Sequence, residues 1–211
     1  MRKIRIRQHV NPLARKFQQP ITIPNWHDIY GNITQPFHLD IGCACGYFIL
    51  EMAQTNPDIN YLGIEIRQPL VVEANLETQR LNLKNLYYLF CNINVCLPQL
   101  LESLPLEKLQ WISIQFPDPW FKKKHNKRRV VTAEFIEILA QYLTPSTNIF
   151  IQSDVKEIAQ EICHRIEENS HFQKQHSEKW LDKNPFSIAT EREIVTLNKN
   201  QPVYRALYRS V

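Results

Sequence analysis

The sequence predicts an α/β fold: a mostly parallel central sheet with helices on both faces and an antiparallel strand near the C-terminus. Two observations predict it. Short apolar runs of strand length recur along the chain, and amphipathic segments of helical length separate them. Strand–helix alternation of this kind makes parallel crossovers, which bury the sheet on both faces. Such sheets bind ligands at the carboxyl ends of their strands, near a topological switch point.

Each element has a local reason. Phe37 to Ile41 reads as the first strand, and Tyr47 to Thr55 as a helix stopped by Asn56-Pro57. Tyr61 to Glu65 is the second strand. Pro69 opens a helix that reaches about Leu81, since proline is tolerated in a first helical turn. Leu86 to Cys91 and Leu109 to Phe116 are the third and fourth strands. Thr132 is a suitable N-cap for a helix from Ala133 to Leu143. Thr147 to Gln152 is the fifth strand, and Ser153 or Asp154 caps a helix running to about Glu168. The last third is less regular, with a strand expected at Val203 to Tyr208.

A chain of 211 residues is long enough for one domain with a real core. Residues 1–20 are expected to form a flexible basic arm, and residues 21–211 a single domain. No apolar stretch is long enough to span a membrane, and the N-terminus lacks the apolar segment of a secretory signal. The five cysteines have no framework spacing and are expected as reduced thiols in a cytoplasmic protein. Cys91 and Cys96 are expected to serve packing. No metal-ligand spacing is present, so no metal is expected.

The net charge of +4 hides an asymmetry. Six Lys and Arg residues and no acid lie in residues 1–16, and the same holds for residues 122–129. The rest of the chain is net negative. Positive charge gathered in two short segments suits a polyanion docked at defined places.

The candidate site residues fall at strand ends. Asp40-Ile41-Gly42-Cys43-Ala44-Cys45-Gly46 places two of the four glycines in one strand-to-helix turn. Such a turn leaves backbone N–H groups facing a ligand. Its spacing is not that of a dinucleotide fingerprint. Glu65 ends the second strand, where an acid can accept from both ribose hydroxyls. Asn92 follows the third strand, where an amide can serve an adenine edge. Turn, acid and amide on three successive strands resemble the S-adenosylmethionine site of Rossmann-like class I methyltransferases. In such a site Asp40 lies near the cofactor's cationic end.

Asp118 ends the fourth strand between Pro117 and Pro119, which restrict the backbone around it. The basic run begins at Lys122, so a polyanion gripped there would bring a base to Asp118. The stretch Phe116-Pro117-Asp118-Pro119-Trp120-Phe121 followed by Lys122 to Arg129 closely resembles the motif of the bacterial tRNA (guanine-N7-)-methyltransferases. The resemblance also covers residues 39–53, 61–66, Ser153-Asp154, Thr190 to Glu193 and Gln201 to Ala206. It implies S-adenosylmethionine as cofactor and tRNA as partner, with N7 of a variable-loop guanine as the methyl acceptor. It implies no obligatory second subunit type, so the protein is expected as a monomer or homodimer.

The roles implied by the resemblance are residue-specific. Asp40, Gly42, Gly46, Glu65, Asn92 and Asp118 match cofactor positions, with Asp118 also catalytic. Lys122, Asp154, Thr190, Glu191, Arg192 and Glu193 match substrate positions. Lys124, His125, Asn126, Lys127, Arg128 and Arg129 match the RNA-interacting segment. Phe121 replaces the usual proline, Asn92 stands where aspartate is common, and Arg192 replaces an aromatic residue. Trp120 is expected as a loop anchor. The competing expectation is a non-catalytic RNA-binding protein on the same fold.

Overall fold

A computed structural model of the chain describes residues 10–211. The strands are β1 (Phe37–Ile41), β2 (Asn60–Glu65), β3 (Leu86–Phe90), β4 (Leu109–Gln115), β5 (Asn148–Ser153), β6 (Phe172–Lys174) and β7 (Tyr204–Ser210). The helices are α1 (Trp26–Ile29), α2 (Tyr47–Thr55), α3 (Gln68–Arg80), α4 (Ile93–Ser103), α5 (Ala133–Tyr142), α6 (Lys156–Glu167) and α7 (Glu191–Asn198). The described strands form one sheet in the order β3-β2-β1-β4-β5-β7-β6. β1 to β5 are mutually parallel, and β7 runs antiparallel between β5 and β6.

The strand order reverses between β1 and β4. The chain builds outward from β1 through β2 to β3, then returns to add β4 on the other side of β1. Two crossovers thus leave in opposite directions, and a crevice opens at the carboxyl ends of β1 and β4.

Alternation along each strand feeds two apolar layers. Phe37, Leu39 and Ile41 of β1 join Ile112 and Ile114 of β4 and the helices α4, α5 and α6 in one layer, through Leu97, Leu100, Phe135, Leu139 and Ile162. On the opposite face Phe48, Ile49 and Met52 of α2 and Val71 and Ala74 of α3 pack around Tyr61 and Tyr88. Thr132 caps α5 as expected, its hydroxyl accepting from the Phe135 amide at 3.1 Å. α6 differs: its N-cap is Val155, with no side-chain cap, while Ser153 accepts from the Val155 amide at 3.1 Å.

Four elements lie where the sequence suggested none, the short α1 among them. α4 contains Pro98 in its middle, β6 has three residues, and α7 buries Glu193 and Thr196 while its apolar side chains face outward. Cys91 and Cys96, expected as reduced packing residues, are joined as a disulfide between the end of β3 and the first turns of α4. Their Cα atoms are 6.7 Å apart.

The N-terminal region also differs from the expectation of a flexible arm over residues 1–20. Residues 1–9 lie outside the described residues. The next stretch is docked: Phe17 is buried, with its ring edge-on to Phe90 at 6.4 Å. The Asn92 amide donates to the carbonyls of both Pro12 and Phe17 at 3.2 Å. Burial of the Phe17 side chain and the two hydrogen bonds from Asn92 both contribute to holding this segment.

Candidate active site

The crevice at the switch point is a cleft of about 620 Å³ lined by Asp40, Gly42, Gly46, Glu65, Asn92, Asp118, Asp154, Thr190, Glu191 and Arg192, among others. Sequence positions far apart therefore meet in one place. The strand-to-helix turn forms its floor. Gly42 and Gly46 have φ of 81° and 77°, the left-handed region that glycine enters without penalty. A Cβ at Gly46 would come within 2.2 Å of the Tyr88 ring, whereas one at Gly42 would meet nothing within 4 Å. Gly46 is thus demanded by packing, and Gly42 leaves open space beside the main chain.

Asp40 is buried, and its carboxylate is held from below. Ser113 donates to Asp40 Oδ1 at 2.6 Å, and Gln115 Nε2 donates to the same oxygen at 3.3 Å. Ser113 has only one proton, so His38 Nε2, 2.8 Å from its oxygen, must be the donor in that contact. His38 is stacked on Phe186, with ring centroids 5.0 Å apart. Burial lowers the His38 pKa to about 3, so the ring is neutral. Burial also raises Asp40 to about 6, against the opposing hydrogen bonds from Ser113 and Gln115. A buried carboxylate of this kind favours a cationic ligand.

Burying that charge carries a testable cost. A carboxyl group raised in the folded state binds its proton more tightly when folded. It therefore withdraws stability as pH rises from about 4 to 6, and the loss is complete at pH 7. A shift of this size corresponds to about 3 kcal/mol at most. His38 acts oppositely: its lowered pKa costs stability as pH falls below the unfolded value. Asp40→Asn is expected to raise the melting temperature of the ligand-free protein at pH 7.5 but not at pH 4. Thermal melts of the two proteins at both pH values check this; an equal shift at both would show that ionisation of Asp40 is not the cause.

Glu65 ends β2 with both oxygens occupied. Oε2 accepts from the Ala44 amide at 3.1 Å and from Arg67 Nη2 at 2.8 Å. Oε1 accepts from the Arg67 amide at 2.9 Å and from its Nε at 3.0 Å. A vicinal diol can reach Glu65 only by displacing the Arg67 guanidinium. Arg67 also feels the charge of Asp118, which lines the same cleft.

Asn92 lines the cleft, yet its side chain is committed elsewhere. Its oxygen caps α4 by accepting from the Asn94 amide at 3.3 Å, and its nitrogen holds the N-terminal segment. The expected adenine-edge amide is thus engaged in tying down residues 12–17.

On the other rim, Thr190 caps α7 by accepting from the Glu193 amide at 3.2 Å. Arg192 reaches back across the cleft mouth to the Asp154 carboxylate. Its substitution for an aromatic residue therefore produces an ion pair between α7 and the end of β5. Glu193 turns inward instead of joining the substrate rim. It is 2% exposed, and its carboxylate accepts from Arg205 at 2.7 Å, Asn184 at 2.7 Å and Gln152 at 3.0 Å. Gln152 also donates to Gln115 at 2.7 Å. A buried polar chain thus runs from Asp40 through Gln115 and Gln152 to Glu193 and Arg205. The sequence pattern pointed to Glu193 but could not show that its partner is Arg205.

The basic run divides as well. Lys122, Lys123, Lys124, Asn126 and Lys127 are exposed. Trp120 is an anchor, with His125 edge-on at 5.6 Å and the Arg128 guanidinium over its ring at 4.9 Å. Arg129 points inward, donating to the Pro119 carbonyl at 3.0 Å and pairing with Glu161.

A family model described as "Putative methyltransferase" matches residues 34–206. A tRNA (guanine-N(7)-)-methyltransferase of Microcystis aeruginosa is 56% identical over 209 residues, covering 99% of both chains. Proteins of the same name from Trichormus variabilis and Synechocystis sp. are each 51% identical, covering 99% and 98% of this chain and 97% and 98% of their own. Among solved structures, a precorrin-6y C5,15-methyltransferase from Geobacter metallireducens has a TM-score of 0.54 at 11% identity, covering 89% of this chain and 85% of its own. An rRNA methylase from Streptococcus thermophilus has a TM-score of 0.51 at 10% identity, covering 88% and 92%. These likenesses are to the fold.

Proposed function

The chain belongs to the tRNA (guanine-N(7)-)-methyltransferase family, and from that membership we propose that it methylates N7 of a guanine in tRNA. The observation that carries the reading is that Asp40, Glu65 and Asp118 line one cleft whose rim continues into exposed lysines.

The residues present fit S-adenosylmethionine. Asp40 offers a buried carboxylate to a cationic ligand, Glu65 would receive a ribose diol in place of the Arg67 guanidinium it now holds, and Gly42 leaves room against the main chain. When bound, this cofactor supplies an electrophilic methyl group. The chain's task is then positioning and charge. Guanine N7 has an in-plane lone pair and no proton, so no base is needed before attack. The guanine becomes cationic as the bond forms, and a fixed carboxylate nearby favours that change. That Asp118 lines the cleft supports giving it this role. Asp154, which lines the same cleft and is paired with Arg192, is the candidate for the guanine edge. The variable loop as target, and the absence of a second subunit type, follow the family and are part of the proposal.

Lys122, Lys124 and Lys127 provide the sequence-independent grip on phosphates. Lys124→Ala with Lys127→Ala is expected to weaken tRNA binding and to make the dependence of log affinity on log salt shallower by about 1.5 units. Filter binding across a salt series measures this, and an unchanged slope would remove these lysines from the interface. Calorimetry with S-adenosylmethionine, followed by methyl transfer to unmodified tRNA, tests the activity itself. Cofactor binding without transfer would favour a protein that binds RNA without modifying it.

A further inference from the structure

The Asp118 turn is strained at both ends. Phe116 and Trp120 have φ of 49° and 41°, the left-handed region that costs a bulky residue on the order of 1–2 kcal/mol. Such a conformation persists only where its surroundings hold it. Pro117 and Pro119 contribute no N–H, so the turn has few donors with which to fasten itself. Its carbonyls need donors from outside.

Arg129 supplies them. Its Nε donates to the Pro119 carbonyl at 3.0 Å and its Nη2 to the Trp120 carbonyl at 3.4 Å. Its Nη1 pairs with Glu161 of α6, which is held in turn by Arg165 at 2.5 Å. Arg165 also donates to the Val131 carbonyl. The Arg129 carbonyl accepts from Asn94 at 3.1 Å. The Arg129 side chain is 13% exposed, whereas Lys123, Lys124 and Lys127 are exposed. Only a planar guanidinium can bridge two carbonyls and a carboxylate at once; an ammonium cannot reproduce the fork.

We propose that Arg129, set by Glu161, is a positioning residue for Asp118 and not a member of the RNA grip formed by its sequence neighbours. The inference rests on the role given to Asp118 above.

The test compares Arg129→Lys, Arg129→Met and Glu161→Gln with the unaltered protein, at saturating tRNA and S-adenosylmethionine. All three are expected to lower kcat by roughly 10- to 100-fold, with tRNA affinity and its salt slope unchanged within about twofold. Hydrogen exchange across residues 116–121 is expected to quicken in each, and not elsewhere. Arg129→Lys separates the two roles, because it keeps the charge that phosphate binding needs and loses the fork. Glu161→Gln separates them again, because removing an acid would tighten an electrostatic grip. A lysine variant with unaltered kcat and exchange would overturn the proposal. So would a methionine variant that loses affinity and salt slope at full kcat. If the unaltered protein transfers no methyl group to N7, the reading of the site fails. The exchange data then still decide whether Arg129 holds the turn.

Discussion

Asp118→Ala is expected to lower kcat for methyl transfer by about a thousandfold, or ~4 kcal/mol of transition-state stabilisation, while tRNA affinity changes only a few-fold. The asymmetry follows from the geometry. Asp118 lies in the cleft shared with Asp40 and Glu65, and the exposed lysines begin four residues later. Its charge matters most when the guanine becomes cationic and little when phosphates bind. Asp118→Asn keeps the shape and removes the charge, so it is expected to fall nearly as far. Single-turnover kinetics with saturating tRNA measures both variants. Full activity in the asparagine variant would show that hydrogen bonding, and not charge, is what this position supplies.

The second large effect is structural. Arg205→Met leaves the Glu193 carboxylate buried without its cation. The side chains of this pair are 9% and 2% exposed, so water cannot take the place of the missing partner. Breaking a buried pair from one side costs about 3–5 kcal/mol, which corresponds to a fall in melting temperature of roughly 6–20 °C for a domain of this size. Adding Glu193→Gln is expected to recover part of the loss, because the charge that lacked a partner is gone. Thermal melts of the single and double variants check this; a double variant no more stable than Arg205→Met alone would mean the pair is not the source of the cost.

Much of the sheet was legible because its strands obey local rules. Phe37–Ile41 and Tyr47–Thr55 coincide with β1 and α2, since an apolar run, a glycine turn and Asn56-Pro57 mark their limits. α4 was hidden by Pro98, which removes one amide from the helical ladder and is overruled by the buried face of Leu97, Leu100 and Leu101. α7 was hidden for a different reason. Its apolar Ile194, Val195 and Leu197 are exposed while Glu193 and Thr196 are buried, the reverse of an amphipathic pattern read from composition.

The site was legible as a set of residue types and not as directions. Asp40, Glu65, Asp118 and Asp154 reach one cleft because each lies at or just beyond the carboxyl end of a strand, and strand ends converge at the switch point. Glu193 and Arg129 carry the same charges as their neighbours, yet each turns inward to a partner that is distant in sequence. Arg205 lies 12 residues from Glu193, and Glu161 lies 32 from Arg129. No local pattern encodes those partners. Asn92 is a further case: an amide that can read a base edge is equally able to cap a helix and bind two carbonyls, and here it does the latter.

The most direct measurement of the central claim is nucleoside mass spectrometry of unmodified tRNA after incubation with the protein and S-adenosylmethionine. One N7-methylguanosine per tRNA is expected, located in the variable loop, and formed about a thousandfold more slowly when Asp118→Ala replaces the unaltered protein. A methyl group on any other atom, or full N7 methylation by the Asp118→Ala variant, would contradict the assignment of this cleft.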